Sequence, residues 1–309
     1  MSILKRRINR RILAVFFGTL IAIATNLGRA ENVWVVAPYM EEPGTQLMVN
    51  AFEDIAATRG WQVQLIQDTA QLDSLLTTVI GTEYQPDAIV INLSSDLIHA
   101  SLESATAASI PIIGMDADDS PLLLTNITSD AYAMAVESSR FVVEALEGDG
   151  GVIMIVYEDY APVQKRGVAA RAVFDSEENI DVIATIVPDV SDGSYASARE
   201  QLTSFFDQHT EASKVRAIWS AWDEPALGAL AAVENSKEGE ANIIITGIDA
   251  TPAAVKAISE DNGFRASVAQ DFQGIAAKVA HVIEANATES ESIQAVYYVP
   301  ATLLTDQPV

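Results

Sequence analysis

From residue 33 onward, short runs of consecutive apolar residues alternate with longer stretches in which apolar positions recur at helical spacing. Val33-Trp-Val-Val-Ala37 is the first such run, and it predicts a strand with both faces covered. Thr45 to Arg59 follows with Leu47, Ala51, Ile55 and Ala56 on one face and Gly60 just past its end, which predicts a helix and its stop. The alternation continues with strands at 62–66, 88–93 and 110–115 and helices at 70–80 and 95–108. A helix at 131–146 is stopped by Gly148-Asp-Gly-Gly151. A second series then places strands at 152–157, 182–187, 217–220, 243–247 and 266–270, with helices at 163–174, 194–208, 225–234 and 251–259. A long helix at 272–285 and a late strand around 296–304 complete the chain.

Strands that are apolar throughout, each followed by a helix, predict parallel sheets covered on both faces, the doubly wound α/β class. About ten strands exceed one compact sheet, so two similar doubly wound lobes are expected. No Gly/Pro/Ser-rich linker separates the two series, and the hinge is therefore expected to consist of short strand crossings near residues 130, 270 and 298. That divides the chain into an N-terminal lobe of 31–130 plus 271–298 and a C-terminal lobe of 131–270 plus 299–309.

The first thirty residues follow a different pattern. Lys5, Arg6, Arg7, Arg10 and Arg11 precede an apolar run from Ile12 to Ala24, and Gly28 and Ala30 are small residues suited to a cut after Ala30. This is the three-part build of a secretory signal peptide, and the apolar run is short of the roughly 20 residues a membrane span needs. The chain has no Cys, so no lipid-anchored cysteine is expected at the cut, and the product is expected free in the periplasm.

Composition narrows the chemistry. The 18 Lys and Arg stand against 43 Asp and Glu, a formal charge of −25, and six of those cations precede residue 31, which leaves −31 after the cut. Such a surface repels nucleic acid and anionic membranes and favours solubility. Without Cys there is no disulfide, thiolate metal site or Cys nucleophile. His99, His209 and His281 are isolated, and neither a phosphate-binding Gly-rich loop nor a Gly-x-Ser-x-Gly elbow is present. The acidic run Asp116-Ala-Asp-Asp119 lacks the spacing of a calcium loop. No catalytic residue, no metal and no cofactor is therefore expected.

Ligands of open α/β sheets bind at the carboxyl ends of the strands. Those ends here carry Tyr39, Asn92, Asp116, Tyr157, Trp222, Asp223, Asp249 and Gln270, with Tyr160 close by. Amides and carboxylates exchange paired hydrogen bonds with vicinal hydroxyls, and aromatic faces suit the C–H face of a sugar ring.

Six short motifs in order carry a resemblance. They are Asp87-Ala-Ile-Val-Ile-Asn92, Ile110-Pro-Ile-Ile-Gly-Met-Asp116, Ile127-Thr-Ser-Asp130, Trp222-Asp-Glu-Pro-Ala-Leu-Gly-Ala-Leu230, Ile244-Ile-Thr-Gly-Ile-Asp249 and Ala266-Ser-Val-Ala-Gln270. Together they resemble the type I periplasmic sugar-binding proteins of ABC importers, the ribose/galactose-binding group, which share a fold with the ligand domain of the lactose-repressor family. The resemblance implies ligand contacts from Asn92, Asp116, Arg166, Asp223, Asp249 and Gln270. Within Gln164-Lys-Arg-Gly-Val-Ala169, either Arg166 or Gln164 fits the cleft-facing position. Asp223 fits equally well as the cap of the helix opened by Pro225. Ser129 marks the first hinge crossing.

The chain departs from the ribose-type pattern at three places. Pro43-Gly44-Thr45 stands where aromatics follow the first-loop Pro, Ala117 stands where Arg often follows the Asp, and Trp222 stands where Asn precedes the Asp. Trp222, with Tyr39, is the expected ring platform. The resemblance implies a monomeric protein, not an enzyme, that captures a sugar or polyol between its lobes and delivers it to an ABC permease. A subunit presenting such a ligand to a chemoreceptor or sensor kinase fits the same pattern, and an exported carbohydrate-active enzyme fits it less well.

Overall fold

The computed structural model describes residues 31–305 apart from 192, 237–241 and 261. The signal peptide read from residues 1–30 lies outside the described residues. In chain order, β1 (Asn32–Val36), α1 (Pro43–Arg59), β2 (Gln62–Ile66), α2 (Leu72–Val79), β3 (Ala88–Ile91), α3 (His99–Ala107), β4 (Ile112–Met115) and β5 (Thr125–Thr128) come first. Then follow α4 (Ala131–Ala145), β6 (Asp149–Ile155), α5 (Ala161–Asp175), β7 (Asn179–Ile186), α6 (Ser194–Gln208), β8 (Val215–Ser220), α7 (Asp223–Glu234), β9 (Ile244–Asp249), α8 (Pro252–Ser259) and β10 (Phe264–Gln270). The chain ends with α9 (Phe272–Thr288), β11 (Val296–Tyr298) and β12 (Ala301–Thr305).

The apolar runs become central strands because successive side chains point to opposite faces and both faces are covered. Val33 and Val35 of β1 enter one core while Trp34 and Val36 enter another. On β6, Val152 and Met154 face one layer and Ile153 and Ile155 the other. The two sheets have the orders β11-β5-β4-β3-β1-β2 and β12-β10-β9-β8-β6-β7, so each strand of the first has a counterpart in the second. All the pairings are parallel except β12 on β10. The architecture is thus the expected pair of doubly wound lobes.

Three details differ from the sequence pattern. β5 was invisible as a strand because its sequence is Thr-Asn-Ile-Thr; of its buried polar side chains, Asn126 bonds both Ala117 N (3.1 Å) and Ala117 O (2.8 Å) and Thr128 Oγ1 donates to Asp116 Oδ1. The edge strands β2 and β7 are partly exposed along their length rather than apolar throughout. The late strand is two strands, one in each sheet, with Pro300 between them.

The chain passes between the sheets three times: from β5 to α4, from β10 to α9, and from β11 to β12. The first two passages each end in an aspartate that caps the next helix. Asp130 accepts from Ala133 N at 3.0 Å and Asp271 accepts from Gly274 N at 2.8 Å. α4 then packs on α5, β9 and β10, and α9 on α1, β4 and β5. Among the described residues no helix is long and apolar enough to cross a membrane.

Inside the second lobe α6 and α7 pack closely at Gly228, where a Cβ would collide with the Tyr195 carbonyl oxygen of α6. Backbone cannot yield as a side chain can. Gly228→Ala is therefore expected to lower the melting temperature, because overpacking at about 1–3 kcal/mol outweighs a helix-propensity gain of about 1 kcal/mol. An unchanged or raised melting temperature by circular dichroism would contradict this packing.

Candidate binding cleft

The carboxyl ends of the two parallel sheets face each other across a cleft. The first lobe contributes Tyr39, Glu42, Gly44, Thr45, Met48, Asn92, Asp116 and Phe272 to its lining; the second contributes Tyr157, Tyr160, Val163, Arg166, Val190, Trp222, Asp249 and Gln270. Polar groups lie at its strand ends, and Met48, Val163, Val190 and Phe272 supply apolar surface.

Arg166 lies at the centre, 2% exposed. It starts from the second turn of α5, and its Nη1 donates to the Ala221 carbonyl at 2.8 Å. Asp249 Oδ1 lies 3.5 Å from Nη1 and Asp116 Oδ2 lies 3.9 Å from Nη2. The two aspartates are counterparts, each at the end of its strand position, β4 and β9, in the matching sheet orders. Both have positive φ, 59° at Asp116 and 122° at Asp249, a backbone strain that tends to gather at functional sites. Gly44 is required beside Asp249, since a Cβ there would lie 2.7 Å from Asp249 Oδ2. Gln164 is exposed and lines a separate surface groove, so of the two candidates Arg166 faces the cleft.

Three lining residues carry a buried polar atom with no hydrogen-bond partner among the described residues: Asn92 Oδ1, Arg166 Nε and Gln270 Oε1. The amide orientations follow from their other ends. Asn92 Nδ2 donates to Met115 O at 2.7 Å and to the Tyr160 hydroxyl at 3.1 Å; Gln270 Nε2 donates to Asp249 Oδ1 at 2.8 Å. Leaving a buried polar atom unpaired costs about 1–3 kcal/mol, and a molecule that donates to two of these atoms and accepts from the third would pair all of them.

Seven of the eight sequence-derived residues line the cleft: Tyr39, Asn92, Asp116, Arg166, Trp222, Asp249 and Gln270. Asp223 does not. It is fully buried behind the cleft, where Oδ1 accepts from Ser267 Oγ at 2.6 Å and Oδ2 from Thr251 N at 2.7 Å. Nor is it a helix cap, since Trp222 holds the N-cap position of α7. Its carboxylate ties α7 to β10 and to the start of α8.

Sequence reasoning missed Glu42. This residue of the first lobe is buried against the second, with Oε1 accepting from Ser194 N at 2.8 Å and Oε2 accepting from Ser194 Oγ and Trp222 Nε1, both at 2.9 Å. A loop glutamate gives no pattern signal. Further cross-lobe bonds join Ser94 to Asp159 O (3.2 Å) and Ala161 N (3.0 Å), and Lys165 to Asp119 at 2.7 Å. The lobes are closed on one another. Among the described residues no cluster of three or more His, Asp or Glu is arranged to hold a metal.

Burial pushes the Asp249 carboxyl up to about 6; Arg166 and Gln270 oppose the rise, and Asp116 and Glu42 add to it. Burial also raises Asp223 well above the carboxylate range, with the Asp249 charge next in importance, and raises Glu42. Carboxyls raised in the folded state bind protons more tightly there than when unfolded, so their stabilisation is full below the unfolded value and is lost as pH rises through the folded one. The unliganded protein is therefore expected to lose melting temperature between about pH 4 and about pH 6, and Asp249→Asn to lose less over that span. A fall of the same size in both proteins, followed by calorimetry, would remove Asp249 as a cause.

A family model described as a periplasmic binding protein domain matches residues 33–291. The ribose import binding protein RbsB of Salmonella typhimurium is 26% identical over 233 residues, 74% of each chain. A solute binding protein of an ABC transporter from Agrobacterium vitis, solved with bound allitol, has a TM-score of 0.79 at 24% identity, covering 90% of this chain and 96% of its own. The 5-methylthioribose transporter solute binding protein of Thermotoga lettingae has a TM-score of 0.81 at 17% identity, covering 91% and 88%.

Proposed function

The chain belongs to the periplasmic binding protein domain family, and from that premise we propose that it captures a neutral sugar or polyol in the cleft between its lobes and hands it to an ABC permease. Family membership assigns it to solute binding rather than catalysis. The observation that carries the ligand class is the set of unpartnered atoms on Asn92, Arg166 and Gln270. A hydroxyl both donates and accepts, so a polyhydroxylated molecule completes all three. The relatives that match bind compatible molecules: ribose for the Salmonella protein, allitol for the Agrobacterium one.

Charge supports a neutral ligand over an acidic one. Among the described lining residues Arg166 is the single cation, facing Glu42, Asp116 and Asp249. Its charge is already committed to the two aspartates, and a phosphate or carboxylate would enter a field of net negative sign. The contacts proposed are Asn92, Asp116, Arg166, Asp249 and Gln270, with Tyr39 and Trp222 as aromatic walls. The ligand's C–H surface would rest on Met48, Val163, Val190 and Phe272.

The mechanism follows from the three passages between sheets. They leave the lobes joined by a few residues, which offer a hinge for opening and closing. Contacts from both lobes form only when closed, so a ligand stabilises the closed state by its differential affinity. A permease that docks the closed form then receives the ligand. Localisation follows the family name, the periplasm; release by cleavage after Ala30, without a lipid anchor, is proposed from the composition of the first thirty residues.

A thermal-shift screen tests the reading. A ligand at roughly 100 times its Kd stabilises the native state by about 2.7 kcal/mol, a rise of several degrees. Neutral pentoses, hexoses or polyols are expected to produce such a rise, whereas sugar phosphates and uronates are not. Gln270→Ala removes an amide while leaving every charged side chain in place, and it is expected to weaken the best ligand roughly tenfold or more, about 1.4 kcal/mol. Wild-type affinity in that variant, or a preference for acidic sugars, would overturn the assignment.

A further inference from the structure

Tyr160 belongs to the second lobe, yet its hydroxyl is bonded inside the first. The phenol donates to the Asp116 main-chain carbonyl and accepts from Asn92 Nδ2 at 3.1 Å, with Asp116 Oδ2 3.4 Å away. One donated and one accepted bond to these two residues is what a sugar hydroxyl would make there. The insertion is held in place from both sides. Ser94 of the first lobe accepts from Ala161 N at 3.0 Å and donates to Asp159 O at 3.2 Å, the residues flanking Tyr160. The Tyr39 ring, 5.5 Å between centroids, leans on it from the first lobe.

The consequence is a partly occupied end of the cleft. Asn92 Nδ2 is spent on Met115 O and Tyr160, so Oδ1 is its unpartnered atom. Asp116 Oδ1 is taken by Thr128 Oγ1 at 2.5 Å, while Oδ2 faces Arg166 and the phenol. The unpartnered atoms of Arg166 and Gln270 lie on the second lobe. Resting on the sugar or polyol reading, we infer that Tyr160 is a specificity-determining residue: its phenol occupies the position of one ligand hydroxyl, shortens the cleft at the Asn92–Asp116 end and restricts the ligand to compact polyols.

The test is a length series. Dissociation constants for erythritol, ribitol and allitol are measured with the wild-type protein, Tyr160→Ala and Tyr160→Phe. The wild type is expected to favour the shorter members. Tyr160→Ala vacates both the space and the hydrogen bonds, so the preference is expected to move toward allitol by roughly tenfold, the factor one hydrogen-bonded hydroxyl brings. Tyr160→Phe keeps the ring, leaves the Asp116 carbonyl unpaired on closure, and is expected to weaken every member similarly without changing their order. If the alanine variant does not fold, Tyr160→Thr makes the same test with a shorter hydroxyl. An unchanged order in the folded alanine or threonine variant, or a phenylalanine variant whose preference moves toward allitol as far as the alanine variant's does, would overturn the role of Tyr160 alone. A wild-type protein that binds neither these polyols nor the corresponding aldoses would overturn the sugar reading and this inference with it.

Discussion

A buried guanidinium organises the cleft. Removing a charge from water is costly, and an interior Arg persists only where opposite charges and hydrogen-bond acceptors surround it. Arg166 has two carboxylates and one carbonyl, and these come from both lobes: Asp116 from the first, Asp249 and the Ala221 carbonyl from the second. The geometry thereby couples closure to electrostatics, because opening the lobes withdraws Asp116 from a cation that would then need water. It also explains the strain. Both aspartates hold positive φ at the ends of equivalent strands, where the guanidinium between them offsets the cost.

Around that centre the molecule uses one plan twice. Two sheets of the same strand order present their carboxyl ends to a common space, and three brief passages of chain join them. The repeat is not chemically symmetric. Where the first lobe offers the Asn92 amide after β3, the second offers Trp222 just after β8, whose indole N–H is committed to Glu42 while its ring lines the cleft. The second lobe in turn sends Tyr160 into the polar end of the first. These crossed contacts let two similar halves enclose a lopsided space, which a ligand with distinct polar and apolar faces can fill.

Much of this was legible in the sequence, for physical reasons. Central strands must be apolar on both faces, so β1, β3, β4, β6 and β8 stood out as runs, and the helices between them showed their periodicity. β5 did not, because its buried Asn126 and Thr128 are satisfied by neighbours no local pattern reveals. Asn92, Asp116, Asp249 and Gln270 were readable because a strand end projects them into the cleft. Asp223 sits at a strand end too, but its side chain turns back to Ser267 and Thr251, a choice made by tertiary contacts. Glu42 was hidden for the opposite reason: its partners, Ser194 and Trp222, are distant in sequence and meet it only when the lobes close.

The central claim is that Asn92 Oδ1, Arg166 Nε and Gln270 Oε1 remain unpaired until a polyhydroxylated ligand completes them. A high-resolution crystal structure of the protein with the strongest hit from a sugar and polyol screen measures this directly. The expected result is one ligand between the closed lobes with hydroxyl oxygens within hydrogen-bond distance, about 2.7–3.2 Å, of all three atoms. A ligand bound outside the cleft, or one inside it that leaves those three atoms without partners, would contradict the account.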